Sequence, residues 1–494
     1  MNPSALYTQN LSMLTDLYQL TMAYGYWKAG EADTEAVFNL FFRKPPFGGG
    51  YTIACGLTDA IDLIANLGFE DDDVAYLATL TGNDGKPLFE SGFLDYLLEM
   101  KIECDVLAIP EGTVVFPHEP LLRLSGPLIQ CQLLETALLT VVNFQTLIAT
   151  KARRVADAAQ GESVLEFGLR RAQGIDGGLS ASRAAYIGGA SATSNVLAGK
   201  LFGIPVAGTH AHSWVMCFDS EREAFEAYAG AMPNNCVFLV DTYDTVEGVR
   251  QAIEVGKQLR ERGHEMVGVR LDSGDLAYLS IQARELLDAG GFPDAAVIAS
   301  NGLDEHLIES LKTQGARISV WGVGTKLSTS YDQPALGGVY KLSAVRRAGR
   351  DEWEDRVKLS EQSIKVSNPG VLQVRRFERD GLFSGDLIYD ERHPLPELPV
   401  MVDPMDMTRR KRLTAEDAGA DLLVSVFEAG ELVYDAPDVH AVRAHALTQL
   451  DKFHHGIKRF KHPHQYPTGL EKGLFEHKTA MILRARGFDE ESES

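Results

Sequence analysis

The residues of this 494-residue chain best suited to chemistry gather in six short polar segments, EFGLRRAQ, AGTHAHSW, DTYDT, RLDSGD, SNGLDE and GVGTK, each directly after an apolar run. In RLDSGDL, Asp272 and Asp275 stand three residues apart with Ser273 and Gly274 between them. Carboxylates so placed at a strand end suit a sugar diol or a Mg2+ ion held through oxygen; the competing reading is an aspartate capping the next helix. Arg270, just before them, can hold a phosphate or carboxylate at two points. In GVGTK, Gly322, Gly324 and Thr325 form a turn whose consecutive N–H groups can wrap an anion, with Ser300, Asn301 and Gly302 as neighbours. The spacing is not that of a Walker A loop.

Two further segments carry nitrogen bases. Arg170 and Arg171 follow a buried run and suit a carboxylate or phosphate, or an internal ion pair with Glu166 or a later aspartate. His210 and His212 in THAHSW lack further ligands at matching spacing, and HExxH is absent, which argues against zinc. A histidine that accepts a phosphoryl group needs one free ring nitrogen and an acidic neighbour to orient the other. Core or helix-capping roles are the alternative for both.

A parallel β/α arrangement would bring these segments together. Apolar runs at Val164–Phe167, Ile204–Ala207, Cys236–Val240, Met266–Leu271, Ala296–Ala299 and Ile318–Trp321 alternate with helical patterns at Ala184–Leu201, Thr245–Arg262, Ala277–Ala289 and Glu305–Thr313. Strand, helix, strand at this spacing means right-handed βαβ units. A barrel gathers every strand exit on one face, whereas an open doubly wound sheet gathers only those beside its switch point; the chemical character of nearly every exit favours the barrel. Before it, helical Leu11–Gly30, the strand-like Ala36–Phe42 and the loop KPPFGGGY indicate an α/β domain over 1–145. The barrel region runs over 146–342, entered through a long helical pattern at Leu133–Ala159. The C-terminal region, 343–494, carries strand-like pieces that complete the first domain's sheet or form a third domain, and is mostly helical after 439.

Bulk composition narrows the partners. A chain of 494 residues exceeds a single core, since cores stop growing near roughly 300 residues. With 47 basic against 69 acidic residues the formal charge is −22, which argues against nucleic acid and anionic membrane as partners but leaves local anion pockets open. Five widely spaced cysteines without a CxxC pair, no leader-like start and no long apolar stretch lead us to expect a cytoplasmic protein. Asp489–Ser494 reads as an acidic tail.

In order, LTDLYQLTMAYGYW, RKPPFGGGY, EFGLRRAQG, GTHAHSW, GVRLDSGDL, SNGLDE and GVGTKL resemble the nicotinate phosphoribosyltransferases from the N-terminal helix to at least Leu342. The resemblance implies a type II phosphoribosyltransferase fold, an irregular, incomplete β/α barrel plus an α/β domain built from both ends of the chain, commonly a homodimer with shared sites. It implies that nicotinate and 5-phosphoribosyl 1-diphosphate give nicotinate mononucleotide and diphosphate, the first step of NAD synthesis from nicotinate. ATP, with Mg2+, is then a co-substrate whose hydrolysis is coupled through a phosphohistidine, and no tightly bound organic cofactor is expected. His212 matches the phosphorylated position; His210 stands where an apolar residue is more usual. Tyr18, Arg170, Thr209 and Arg270 match nicotinate-site positions, with Tyr18 reaching the neighbouring subunit, and Thr325 with its glycines matches the phosphoribosyl-phosphate segment. Arg270 and Asp272 serve the transfer step.

Rival readings differ in what they ask of the residues. A sibling enzyme for nicotinamide needs an acceptor for the amide, for which Glu166 is the candidate, and one for quinolinate needs more basic groups. A barrel hydrolase would use two of Asp241, Asp244, Asp272 and Asp275 as acid and base. A non-catalytic role for the same fold would be favoured by loss of residues such as Arg270 and Asp272, and both are present.

Overall fold

The computed structural model describes residues 10–414 and 416–488; the acidic tail lies outside the described residues. The chain forms two compact units, one from Met1–Thr146, Ala335–Pro437 and Thr448–Ser494, the other from Leu147–Pro334 and Asp438–Leu447. The helix Glu135–Ala159 carries the chain from the first into the second.

The first unit draws its sheets from both ends of the chain. Its seven-stranded sheet sets Glu35–Phe41 between Val339–Arg346 and Leu122–Pro127, both antiparallel to it, and continues through Asp105–Ala108 to Val424–Glu428. A six-stranded sheet contains the hairpin of Leu372–Arg379 and Leu382–Asp390, with Thr468–Glu471 parallel to the latter.

The second unit holds six parallel strands in the order Ala192–Thr193, Ser163–Glu166, Val320–Val323, Ala296–Ala299, Gly268–Leu271 and Val237–Leu239. Leu239, Arg270, Ile298 and Val320 stand in register, so the loops that follow leave the sheet on one side. Among the described residues the two outer strands are not bonded to each other, and the barrel is incomplete. Two sequence expectations need correction. The run Ile204–Ala207 forms no strand and contributes one parallel bridge, from Val206 to Thr193. The pattern over Ala184–Leu201 is two helices, Ile175–Gly188 and Val196–Phe202, parted by the strand Ala192–Thr193. The first ends where a Cβ on Gly188 would lie 2.2 Å from the Ala149 carbonyl, and Gly189 at φ 127° turns the chain away.

Helices return the chain from strand to strand. Thr245–Glu261 buries Val249, Ala252, Ile253 and Leu259, the i, i+3, i+4 stripe of a helix lying on a sheet. Three of these helices start on an aspartate whose carboxylate accepts a first-turn N–H: Asp244 from Glu247 at 2.8 Å, Asp275 from Tyr278 at 3.1 Å and Asp304 from Leu307 at 2.8 Å. Each such cap stabilises its helix by about 0.5–2 kcal/mol.

An ion cluster buried at Lys151, Arg154 and Glu305 reaches the surface at Asp332, which also pairs with Lys326 of the GVGTK turn at 3.2 Å. Lys151, with no exposed side chain, places Nζ 2.6 Å from Glu305 and 2.7 Å from Asp332, while Arg154 Nε donates to Glu305 at 2.8 Å. Burial works to raise the Glu305 carboxyl, but Lys151 and Arg154 outweigh it and hold it below the usual range. Its contribution to stability is therefore present above the ordinary carboxylate pKa and lost as pH falls through the depressed value. Removing one partner strands buried charge, so Lys151→Ala is expected to lower the unfolding free energy by about 3–5 kcal/mol. A urea titration at neutral pH, read as the shift in midpoint at unchanged slope, checks this.

Candidate active site

Arg270, on the strand Gly268–Leu271, organises the face where the loops converge. Its side chain is 13% exposed. Nε donates to Ser300 Oγ at 3.0 Å, Nη1 to Thr209 Oγ1 at 2.7 Å and the His210 carbonyl at 3.4 Å, and Nη2 to Asp272 Oδ1 at 3.1 Å. Three loops are thus tied to one guanidinium, and four of its five N–H groups are committed within the protein. Ser300 Oγ also donates to Asp272 Oδ1. Burial works to raise the Asp272 carboxyl, yet the Ser300 hydrogen bond and the Arg270 charge prevail, so it stays ionised below the usual range.

His212 opens the short helix His212–Met216. Nδ1 is 3.1 Å from Thr242 Oγ1, and Nε2 faces Asp272 Oδ2 at 3.8 Å and Asp241 Oδ1 at 4.0 Å, beyond hydrogen-bonding range. The ring therefore has one nitrogen held and the other free, but the orienting group is a threonine hydroxyl, while the acidic neighbours face the free nitrogen. Asp241 is almost fully buried: Oδ2 accepts the Asp272 N–H at 2.8 Å and Ser273 Oγ at 2.7 Å, and Oδ1 has no hydrogen-bond partner. Nearby, burial pushes the Glu221 carboxyl up to about 7, with Asp241, Asp244 and Glu247 adding to the shift.

His210 differs sharply from His212. Its ring is buried against Tyr228 and Phe225, Nε2 accepts the Leu239 N–H at 3.3 Å, and burial holds its pKa down at about 4. Neither histidine has the companions of a zinc site, and no group of three or more His, Cys, Asp or Glu placed to hold a metal occurs among the described residues. Asp275, expected beside Asp272, spends its Oδ1 on its own helix.

Arg170 and Arg171 lie in the turn Leu169–Arg171, where the Arg171 N–H donates to the Gly168 carbonyl at 2.8 Å; both are exposed, and neither guanidinium has a hydrogen-bond or ion-pair partner among the described residues. Glu166 is not their partner: it is buried and accepts from the Gly168 N–H, Ser182 Oγ and Thr193 Oγ1. At the neighbouring exits, Asn301 and Gly302 take left-handed φ values of 84° and 63° and are exposed, and their N–H groups donate to no described residue. Gly322 and Gly324 serve packing as well: a Cβ on Gly322 would lie 2.8 Å from the Phe167 ring and one on Gly324 3.2 Å from the Phe167 carbonyl. Thr325 is exposed at the start of the short helix Thr325–Ser328. Tyr18 lies in the other unit, on the helix Leu17–Lys28, and is 48% exposed.

Sequence reasoning gave Asp241 only a hydrolase role and passed over Thr242 and Glu221. A strand-exit segment as polar as DTYDT was the available signal for the first two. Glu221 follows no strand, and its burial beside Asp241 is a tertiary fact.

If Thr242 fixes the His212 ring, the two ring nitrogens keep distinct 15N chemical shifts at a pH where the ring is neutral. In Thr242→Val they are expected to converge as the tautomers interchange; an unchanged pair of shifts would show that another group holds the ring.

Comparison with known proteins places the chain. The nicotinate phosphoribosyltransferase N-terminal domain model matches residues 13–143, the family model residues 163–355 and the C-terminal domain model residues 373–478. The nicotinate phosphoribosyltransferase of Bacillus subtilis (strain 168) is 44% identical over 487 residues, covering 98% of this chain and 97% of the relative. That of Homo sapiens is 36% identical over 520 residues, covering 94% and 95%. The crystal structure of human nicotinic acid phosphoribosyltransferase matches with a TM-score of 0.82 at 34% identity, covering 94% of this chain and 99% of that one. An Arg270-centred strand-end site on an incomplete β/α barrel, read with these full-length matches, places the chain in the nicotinate phosphoribosyltransferase family.

Proposed function

We propose that the chain joins nicotinate to 5-phosphoribosyl 1-diphosphate, releasing nicotinate mononucleotide and diphosphate, with ATP cleavage coupled through phosphorylation of His212. The lone pair of the pyridine nitrogen forms the bond to the anomeric carbon as the carbon–oxygen bond to diphosphate breaks, and the diphosphate leaves with that electron pair. No protein nucleophile or strong base is required. The protein's task is to orient the ring, neutralise the leaving charge and tolerate positive charge at the sugar carbon.

The observation that carries this reading is the division between two arginines on one face. Arg270 is committed to Thr209, Ser300 and Asp272 and keeps one N–H for a ligand, whereas Arg170 is exposed and unpartnered. Arg170 is then the free guanidinium for the nicotinate carboxylate, with Thr209 and Arg270 fixing the far side. Glu166, the one acceptor that favoured an amide, is already satisfied within the protein. The free N–H groups at Asn301 and Gly302, with Gly322, Gly324 and Thr325 at the next exit, suit the phosphoribosyl phosphate. The hydrolase reading loses support because Asp244 and Asp275 cap helices and Asp272 is ion-paired.

Asp241 and Asp272 beside Nε2 would repel an incoming phosphate. The orphaned Asp241 Oδ1 and the Asp272 carboxylate fit a Mg2+ ion that takes its other ligands from phosphate and water, the usual manner for this ion. Bound there, it would supply positive charge that offsets both carboxylates and the transferring phosphate. A phosphoryl group on Nε2 adds charge at the start of the helix His212–Met216, two residues from the Arg270 contacts, so ATP cleavage can bias substrate binding and product release. ATP is read as a co-substrate, and no organic cofactor is assigned.

A homodimer with shared sites is part of the same reading. Leu11, Leu14, Leu17 and Tyr18 expose between 44% and 52% of their surface within a few residues of one another, an apolar stretch that a second copy would cover. The described residues contain no helix long and apolar enough to cross a membrane. The widely spaced cysteines without a CxxC pair are what support reading a cytoplasmic enzyme.

Turnover assays with nicotinate, nicotinamide and quinolinate test the substrate. Nicotinate alone is expected to be used well, and Arg170→Ala is expected to lower kcat/KM for it by about 100-fold, the loss of a charge-assisted contact; activity on nicotinamide without activity on nicotinate would overturn the assignment. For the shared site, mixed Arg170→Ala and Tyr18→Ala proteins are expected to regain activity that neither has alone. No recovery after verified subunit exchange would put both residues in one subunit's site.

A further inference from the structure

The open edge of the incomplete barrel presents a polar group that a closed barrel would bond to the next strand. Val237–Leu239 is the last strand of the parallel sheet, and the Val240 N–H turns inward to the Arg270 carbonyl at 3.2 Å. The Leu239 N–H, one residue earlier, points the other way because strand polarity alternates. On that side no strand pairs with it among the described residues: Ile204–Ala207 pairs toward Thr193 instead, through Val206 and the Ala207 N–H. The group that meets Leu239 is the His210 ring, whose Nε2 accepts its N–H at 3.3 Å. Tyr228, with its ring centroid 4.8 Å away, and Phe225 at 6.2 Å hold the imidazole in place.

We propose that His210 is a positioning residue that seals this gap, standing in for the missing strand, and so fixes the turn that carries Thr209 and His212. The connection is short. Thr209 Oγ1 and the His210 carbonyl both accept from Arg270 Nη1, at 2.7 and 3.4 Å, and His212 begins its helix two residues on. One imidazole therefore anchors, on a strand edge, the backbone that faces Arg270 on one side and Thr242 on the other. A neutral ring is required, because Nε2 must accept; the surrounding burial keeps it neutral over the working pH range. An apolar side chain at 210 can fill the space but leaves the Leu239 N–H unbonded.

The part of the inference that concerns nicotinate rests on the proposed function, and the test separates the two. His210→Phe keeps an aromatic ring, and His210→Gln restores an acceptor. In full-length His210→Phe, hydrogen exchange at the Leu239 amide is expected to quicken about 10-fold, and KM for nicotinate to rise about 10-fold, as one buried hydrogen bond is lost. KM for 5-phosphoribosyl 1-diphosphate should change less than about 2-fold, since that segment lies on other exits. His210→Gln should recover much of both losses. Wild-type exchange at Leu239 in His210→Phe would overturn the seal. A KM unchanged despite faster exchange would overturn the positioning role, as would equal damage in both variants, which marks packing alone. If the wild-type protein does not use nicotinate, the exchange measurement still tests the seal, and only the functional reading falls.

Discussion

The structure turns on the commitment of the Arg270 guanidinium to three loops at once. A buried cation is costly unless nearly every N–H finds an acceptor, and Arg270 finds Thr209, the His210 carbonyl, Ser300 and Asp272. Satisfying it fixes three loops, those carrying Thr209, Asp272 and Ser300, relative to one another. The same contacts hold Asp272 ionised beside His212. Charge, loop order and the placement of the free imidazole nitrogen are thus aspects of one constraint rather than separate features.

The parallel sheet makes that constraint possible and leaves one debt. Parallel strands send every exit to one side, and aspartates at the ends of the loops start the returning helices, which leaves the middle of each loop for ligand. An incomplete barrel also leaves an unpaired edge. The His210 ring at Leu239 answers it locally, accepting the N–H that a further strand would have taken.

Much of this was legible in the sequence because strand exits announce themselves. Apolar runs followed by RLDSGD and EFGLRR drew attention to Arg270 and Arg170, whereas THAHSW offered two histidines, of which the family resemblance alone chose His212; the structure sets His212 beside Asp272, the partner of Arg270. The assembly of the first unit from both chain ends also matched expectation. The misses share a cause. Asp275 and Asp272 look equivalent at three-residue spacing, yet one turns to its helix and the other to Arg270; rotamers and caps decide that, and spacing does not encode them. Of the two readings left open for Arg170, the internal pair with Glu166 is the one that fails, because the strand's alternation sends that carboxylate to Ser182 and Thr193. The split of the Ala184–Leu201 pattern depends on close packing at Gly188, where the partner is Ala149, nearly forty residues away in sequence.

We propose that His212, one nitrogen held by Thr242 and the other free before two carboxylates, accepts phosphate from ATP. Incubation of the full-length protein with Mg2+ and ATP labelled on its terminal phosphate, followed by denaturation, reads this directly. An acid-labile, base-stable label is expected on the wild-type chain, retained in His210→Ala and absent from a folded His212→Ala. Label that persists without His212 would contradict it.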